Sequence, residues 1–307
     1  MFARESTAVS FSSAGVAFAR VAGPPSAPRL ERVSFRPLPT GVLRFSLREP
    51  NILDAETVAA SLVEARNALL CRVGRVFVTV PDTVGRVLLL DVEERFSSRS
   101  EGLDILRWKL EKKLPFSGAD IHLDFQQLAT RDNGSRVVLV ALALRDVVRQ
   151  YEEVLASAGL APSHIDFNCF NLCRLFEQRF ACHEEYALLF SFSASLGMLF
   201  FSQGSLVCIR IKELGGDRPM KDRLHKEIRC SFLSYRDRYP ERAIRQVFCI
   251  ASPPTAPELC RVARDVLECE PVLLEAKGAV APREGVPLDQ GSLFPFSAAI
   301  GAAFRGL

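Results

Sequence analysis

The stretch from 186 to 211, YALLFSFSASLGMLFFSQGSLVCIRI, decides how the chain folds. It is long and apolar enough to be weighed as a membrane-spanning helix, which needs about 20 predominantly apolar residues. The interruptions argue otherwise. Ser191, Ser193, Ser195 and Ser202 fall among the aromatic and aliphatic residues, with Gly197 and a Gln203-Gly204 turn signal. They divide the stretch into three short β-rich runs, the pattern of a meander with buried strands. A transmembrane helix stands as the minor alternative.

A comparable pattern opens the chain. TAVSFSS from residue 6 and GVAFARV read as two strands, and the Pro-rich GPPSAP that follows suits neither a helix nor a central strand. RLERVSF and VLRFSL alternate like further strands, and Asp54 can cap a helix from 55 to about 70 through Val58, Leu62, Ala65 and Leu69. A second unit begins at VFVTVPD, where Val76, Val78 and Val80 alternate and Pro81 ends the strand, followed by RVLLLDV. A helix over 101 to 113 places Leu103, Leu106 and Leu110 on one face, continued by Leu114 and stopped at Pro115. HLDFQQL and the nearly all-apolar, hence central, RVVLVALAL are joined by an Asp132-Asn133-Gly134 turn, giving a β-β-α-β-β unit over 73–145.

Beyond it come a helix over 146–158 that Gly159 terminates, a short strand HIDF, and a helix over 169–181. The meander follows, then a basic amphipathic segment over about 217–239, a strand RQVFCIA, a helix over 256–267, a strand PVLL and a helix near 295–305. The β-β-β-α pattern therefore occurs twice. That is the layout of a duplicated α/β fold of actin type, with mixed sheets and a small inserted α+β domain. The expected boundaries are 1–72 plus 146–183 for the first half, 73–145 for the insert and 184–307 for the second half, with a small helical subdomain at about 214–244.

Composition narrows the possible functions. The 307 residues suffice for about two domains. Against 36 Asp plus Glu stand 39 Lys plus Arg, a net charge of +3, so no long-range field selects nucleic acid or an anionic membrane. A 48% hydrophobic and 24% charged chain excludes disorder, a collagen-like repeat and a coiled-coil rod. Nine cysteines, an odd number lying mostly inside apolar runs, point to a reducing compartment. Cys169, Cys173, Cys182 and His183 form no paired metal motif, so no metal is expected. Glu5 and the lack of a continuous apolar run in MFARESTAVSFSSAG argue against a secretory signal. No G-x-S-x-G, H-E-x-x-H or G-x-x-x-x-G-K motif is present, His122, His164, His183 and His225 have no nucleophile pattern beside them, and no catalytic residue is assigned.

Residues 105–128, ILRWKLEKKLPFSGADIHLDFQQL, carry the most specific pattern: Arg107-Trp108 on a helix, Leu114-Pro115-Phe116 at its end, then Asp124-Phe125-Gln126 on a strand. This run closely resembles the type IV pilus assembly PilM family. VFVTVPDTVGRVLLL resembles the family's preceding strand pair, with Asp91 where the family often has proline; EEVLASAGLAPSHIDFNCFNLCRLF and SAAIGAAFRGL resemble later segments, so the resemblance covers nearly the whole chain. It implies an actin-like, FtsA-related fold. It also implies a cytoplasmic adaptor, peripheral on the inner-membrane face, which binds the N-terminal cytoplasmic peptide of a bitopic PilN-like protein and contacts other pilus assembly components. The residues it suggests for that groove are Arg86, Arg107, Trp108, Pro115 and Phe116; the simpler role for Trp108 is to pack its helix onto the insert's sheet.

Many proteins of the family bind ATP between their halves, and here this chain departs from them. An actin-type site holds phosphate with two strand turns, each with an Asp-x-Gly whose carboxylate manages Mg²⁺ and whose glycine lets backbone N–H groups approach. In this sequence the turns read Ser10-Phe11-Ser12-Ser13 and Ser191-Phe192-Ser193-Ala194, and the glycine pair expected after RQVFCI is Ala251-Ser252-Pro253-Pro254. What remains is Gly215-Gly216, with Glu227 and Ser231 on the basic segment. The expectation is a relic of a nucleotide site at Ser10, Ser12, Ser13, Ser191, Ser193, Gly215, Gly216, Glu227, Ser231 and Ser252, with no cofactor. A working, ATP-gated ATPase of the same or a type II secretion-related machine is the alternative.

Overall fold

A computed structural model describes residues 4–111, 114, 117–131, 134–214, 219–286 and 289–307. β1 (Glu5–Ser12), β2 (Gly15–Ala22) and β3 (Arg29–Pro37) form an antiparallel meander. α1 (Ala55–Ala68) follows, and β4 (Arg75–Val80) pairs in parallel with β1. The Asp54 carboxylate accepts the Thr57 N–H at 3.0 Å, capping α1 as its sequence requires. β5 (Gly85–Val92), α2 (Arg99–Glu111), β6 (Ile121–Thr130) and β7 (Arg136–Leu144) form the insert, a three-stranded antiparallel sheet with β7 central. The chain then returns through α3 (Arg145–Ser157) to β8 (Ala161–Phe167), which pairs in parallel with β4 and forms one edge of the first sheet. Gly159, at φ +69°, turns the chain between α3 and β8.

α4 (Asn168–Leu175) and α5 (Glu177–Phe180) lead into the second meander: β9 (Tyr186–Phe192), β10 (Ser195–Ser202) and β11 (Ser205–Glu213). α6 (Met220–Arg238), β12 (Gln246–Ile250), α7 (Ala256–Leu267) and β13 (Pro271–Leu273) complete a five-stranded sheet in the order β11-β10-β9-β12-β13. β14 (Ala281–Pro282) joins the edge of the first sheet beside β3, and α8 (Gln290–Leu293) precedes α9 (Ser297–Phe304).

The layers explain the run that imitates a membrane span. α4 and α9 pack against each other and α9 lies on β1, β2 and β4. The same core continues to Leu188, Phe190 and Phe192 of β9, while Ala187 and Leu189 of the opposite face meet α6 and α7. A strand buried on both faces has no polar side to show, so it reads as a continuous apolar run. Among the described residues no helix is long and apolar enough to cross a membrane. The α4–α9 crossing depends on Gly301, where an added Cβ would lie 1.9 Å from the Asn171 carbonyl oxygen.

Several expectations need correction. VLRFSL is not a strand: residues 43 and 52 form an isolated bridge, and fully buried Asn51 donates its side-chain amide to the Ser46 and Glu49 carbonyls, folding the segment into turns. The strand at 75–80, expected in the insert, belongs to the first sheet, and the insert's own sheet begins at Gly85. Pairing in parallel with β1 and β8 joins distant segments and leaves no local signal. The helix expected over 169–181 breaks at Phe176. Residues from β14 onward return to the first half, and α6 packs on α7, β10 and β11 of the second sheet. The Asp132-Asn133 part of the expected turn lies outside the described residues.

Candidate functional site

The two turns at the nucleotide position are tight hairpins. Ser12 pairs with Gly15, leaving Ser13 and Ala14 as the loop, and Ser12 Oγ donates to the Gly15 carbonyl at 3.0 Å. Ser10 is buried and its hydroxyl donates to the Ala17 carbonyl at 3.5 Å. Both hydroxyls are thus engaged by their own hairpin. In the second turn Ser193 and Ala194 stand at φ 48° and 61°, the left-handed pair that a two-residue hairpin of type I′ demands. Phe192 is buried with its ring 5.2 Å from that of Phe294, and Ser191 is half-buried. Neither turn carries a carboxylate.

The other described residues of this set stand on other elements. Ser252 Oγ donates to Thr255 Oγ1 at 3.1 Å, and the Ser252 carbonyl accepts the Thr255 and Ala256 N–H groups, shaping the entry to α7. Ser231 is buried on α6 and its hydroxyl has no partner among the described residues; Glu227, on the same helix, is half-buried. Gly215 and Gly216 lie outside the described residues. A cavity of about 1180 Å³ and one of about 290 Å³ indent the surface, and among the described residues none of the expected nucleotide set lines either of them.

The carboxylate nearest in the chain to the end of β4 is Asp82, in a single 3₁₀ turn Asp82–Val84. It is buried, accepts the Cys169 N–H at the start of α4 at 3.0 Å, and leaves its second oxygen without a partner among the described residues. Burial pushes its carboxyl up to about 6, against the pull of the Cys169 hydrogen bond. Beside it Thr79 Oγ1 donates to Asn168 Oδ1 at 2.8 Å, tying β4 to the start of α4.

The large cavity is a groove between the insert and the first half that reaches the second. Pro162, Ser163, His164, Ile165, Asp166 and Phe167 of β8 line it in unbroken succession, as an unpaired sheet edge does. Across from β8, strand alternation brings His122, Asp124 and Gln126 of β6 to the sheet face away from α2, together with Leu139, Ala141 and Ala143 of β7. One end of the groove is aromatic: the Tyr186 ring stacks 4.4 Å from Phe201 and 5.2 Å from Phe180. Its charges are mixed. Arg99 pairs with Asp124, and Arg305 donates to Asp166 at 3.1 Å and meets His164 Nε2 at 2.5 Å. Burial raises the Asp166 carboxyl although Arg305 opposes it, lowers the Arg174 guanidinium, and pushes the Cys173 thiol up to about 12. His122, His164 and His183, three of the chain's four histidines, line this groove.

Of the residues suggested from sequence for partner binding, Arg86, Arg107 and Trp108 do not line this groove. Arg86 is exposed on β5, on the sheet face that α2 covers. Arg107 pairs with Asp104 at 3.0 Å on the surface of α2. Trp108 is 55% exposed, so it does not pack α2 onto the sheet; Leu106 and Leu110, fully buried, do that. Two positions from Leu106, Trp108 falls on another face of the helix. Pro115 and Phe116 lie outside the described residues. The groove instead takes Asp124, Phe125 and Gln126 from the same quoted run, and β8. Strand alternation about Leu123 was the available signal for the first set; that β8 is an edge strand had none.

Residues 8–225 match the sequence model of the family described as type IV pilus assembly protein PilM, more than half of the chain. The chain belongs to the PilM family. Among solved structures, the PilM-PilN type IV pilus biogenesis complex superposes with a TM-score of 0.83 at 20% identity, covering 98% of this chain and 98% of that one. The cytoplasmic domain of EpsL, an inner-membrane component of the type II secretion system of Vibrio cholerae, gives 0.52 at 10% identity, covering 99% and 96%. A Bacteroides thetaiotaomicron protein with an actin-like ATPase fold and unknown function gives 0.50 at 11%, covering 95% of each chain. At these identities the likeness is one of fold, and the PilM-family chain has the actin-like fold. No curated protein sequence matches it.

Proposed function

We propose that this PilM-family chain is a cytoplasmic adaptor whose groove receives the N-terminal cytoplasmic peptide of a PilN-like bitopic inner-membrane protein, and that it does so without nucleotide chemistry. The groove carries the reading. The free edge of β8 offers six consecutive residues, about 20 Å of backbone. An extended peptide can pair with such an edge through main-chain hydrogen bonds while side-chain pockets select its sequence. Leu139, Ala141 and the Tyr186–Phe201 stack supply apolar pockets, and Arg99, Arg305, Asp124 and Asp166 supply charge. The likeness to a PilM-PilN complex supports a partner of the PilN kind.

Two hairpin turns without a carboxylate, with the Ser10 and Ser12 hydroxyls bound to their own strands, support a pseudo-ATPase. Held by its peptide, the protein sits at the cytoplasmic face of the inner membrane among other pilus assembly components. The test is calorimetric titration of the purified chain, free of nucleotide, with the N-terminal peptide of the bitopic protein encoded beside it. Saturable binding that a scrambled peptide does not reproduce is the expected result; equal or absent binding of both peptides overturns the proposal.

A further inference from the structure

We propose that the outer face of α6 is a docking surface for an anionic lipid bilayer. The segment from Met220 to Arg245 holds eight Lys and Arg against four Asp and Glu, a net charge of +4, while the whole chain carries only +3. The rest of the chain therefore sums to −1, and the small total conceals one concentrated positive region. A formal charge near zero argues against a long-range field, not against a local one of this kind.

Helical phase sorts that charge. Leu224, Ile228, Ser231 and Tyr235, three or four residues apart, form the buried face of α6, which packs on α7 and the second sheet. The opposite face carries Lys226, Arg229, Leu233 and Arg236 at the same spacing, with Cys230 beside them, and all five are exposed. From 226 to 236 this face has no carboxylate. Asp222 and Asp237 bound it at its two ends, and Glu227 lies half-buried at its flank. At 1.5 Å per residue the stripe is about 15 Å long.

Two observations identify what covers it. The cations are left without acidic partners: among the described residues no ion pair takes Lys226, Arg229 or Arg236, whereas on neighbouring α7 Arg261 is held by Glu258 and Asp265, and Arg264 by Glu270. Arg236 lies over the Phe232 ring at 5.8 Å, which leaves its charge uncompensated. Secondly, Leu233 stands 47% exposed in the middle of the stripe. A layer of anionic headgroups satisfies both features, since its phosphates meet the cations while the leucine enters the boundary between headgroups and acyl chains. A nucleic acid would use the cations alone: it gives the leucine no apolar partner, and the stripe carries no aromatic ring on which bases could stack. For the adaptor proposed above, this face would fix how the protein lies on the bilayer to which its peptide partner holds it.

The test is flotation of the full chain with vesicles of phosphatidylglycerol and phosphatidylcholine in equal parts, and with vesicles of phosphatidylcholine alone. No peptide is present, so the outcome is independent of the groove. The chain should float with the anionic vesicles only, and should be released as salt rises from about 0.05 M to about 0.5 M. Each cation at an anionic surface strengthens binding about fivefold, so Lys226→Gln, Arg229→Gln and Arg236→Gln together should weaken it about a hundredfold. Leu233→Ser, which keeps the charge, should weaken it about fivefold. Arg32→Gln, Arg72→Gln and Arg95→Gln together remove the same net charge from exposed positions elsewhere and should leave it unchanged. Absence of flotation with the anionic vesicles, equal loss in the two triple variants, full binding by Leu233→Ser, or capture by polyglutamate or single-stranded DNA as strong as by the anionic vesicles would overturn the proposal.

Discussion

Asp82→Asn should stabilise this protein, and should do so only where the wild-type carboxyl is ionised. Asp82 is 3% exposed, and one of its oxygens has no partner among the described residues. Burial raises its carboxyl from 3.8 to about 6. Because the folded value lies above the unfolded one, the native state binds this proton more tightly, so stability falls as pH rises from about 3.8 to about 6 and is level beyond. A carboxyl moved from 3.8 to about 6 corresponds to about 3 kcal/mol. An asparagine keeps the acceptor for the Cys169 N–H and never ionises. Its advantage should be small near about pH 4 and reach about 3 kcal/mol by about pH 8, a Tm gain of about 5 °C for a chain of this size. Thermal melts of both proteins across that range measure it. A gain that does not grow with pH, or a loss at about pH 8, would refute the reasoning that burial rather than hydrogen bonding dominates this carboxyl.

Gly301→Ala puts a methyl 1.9 Å from the Asn171 carbonyl oxygen and forces α4 from α9, so it should cost about 1–3 kcal/mol in denaturant unfolding; Gly74→Ala, with nothing within 4 Å, should be silent. Replacing Ile165 or Leu139 by Arg should weaken the peptide titration at least tenfold, whereas Arg86→Ala and Trp108→Ala should leave it unchanged, by calorimetry on folded variants. Millimolar Mg-ATP should not move the melting temperature; a ligand at 100 times its dissociation constant would add about 2.7 kcal/mol, and a shift of that order would restore the ATP-gated alternative.

The sequence disclosed most where local chemistry dictates local structure. Serines and glycines between 191 and 204 separated three strands from one apparent membrane span, Asp54 marked the start of α1, and Gly159 ended α3. Parallel pairing was hidden: nothing in RVFVTV states that β4 lies between β1 and β8 and not within the insert. The groove was hidden for the same reason, since it is built from an edge strand and an insert strand that meet only in the fold. Trp108 was a different failure. Leu103, Leu106 and Leu110 already defined the inward face of α2, and the helical phase puts the indole off it, yet the size of the aromatic ring suggested an anchor.

The most direct test of the adaptor account is hydrogen–deuterium exchange of the nucleotide-free chain with and without the N-terminal peptide. The account predicts that protection appears in β8, at 162–167, and in β6, at 122–126, while the turns at 12–15 and 192–195 exchange as before. Protection centred on those turns, or none along β8, would contradict it.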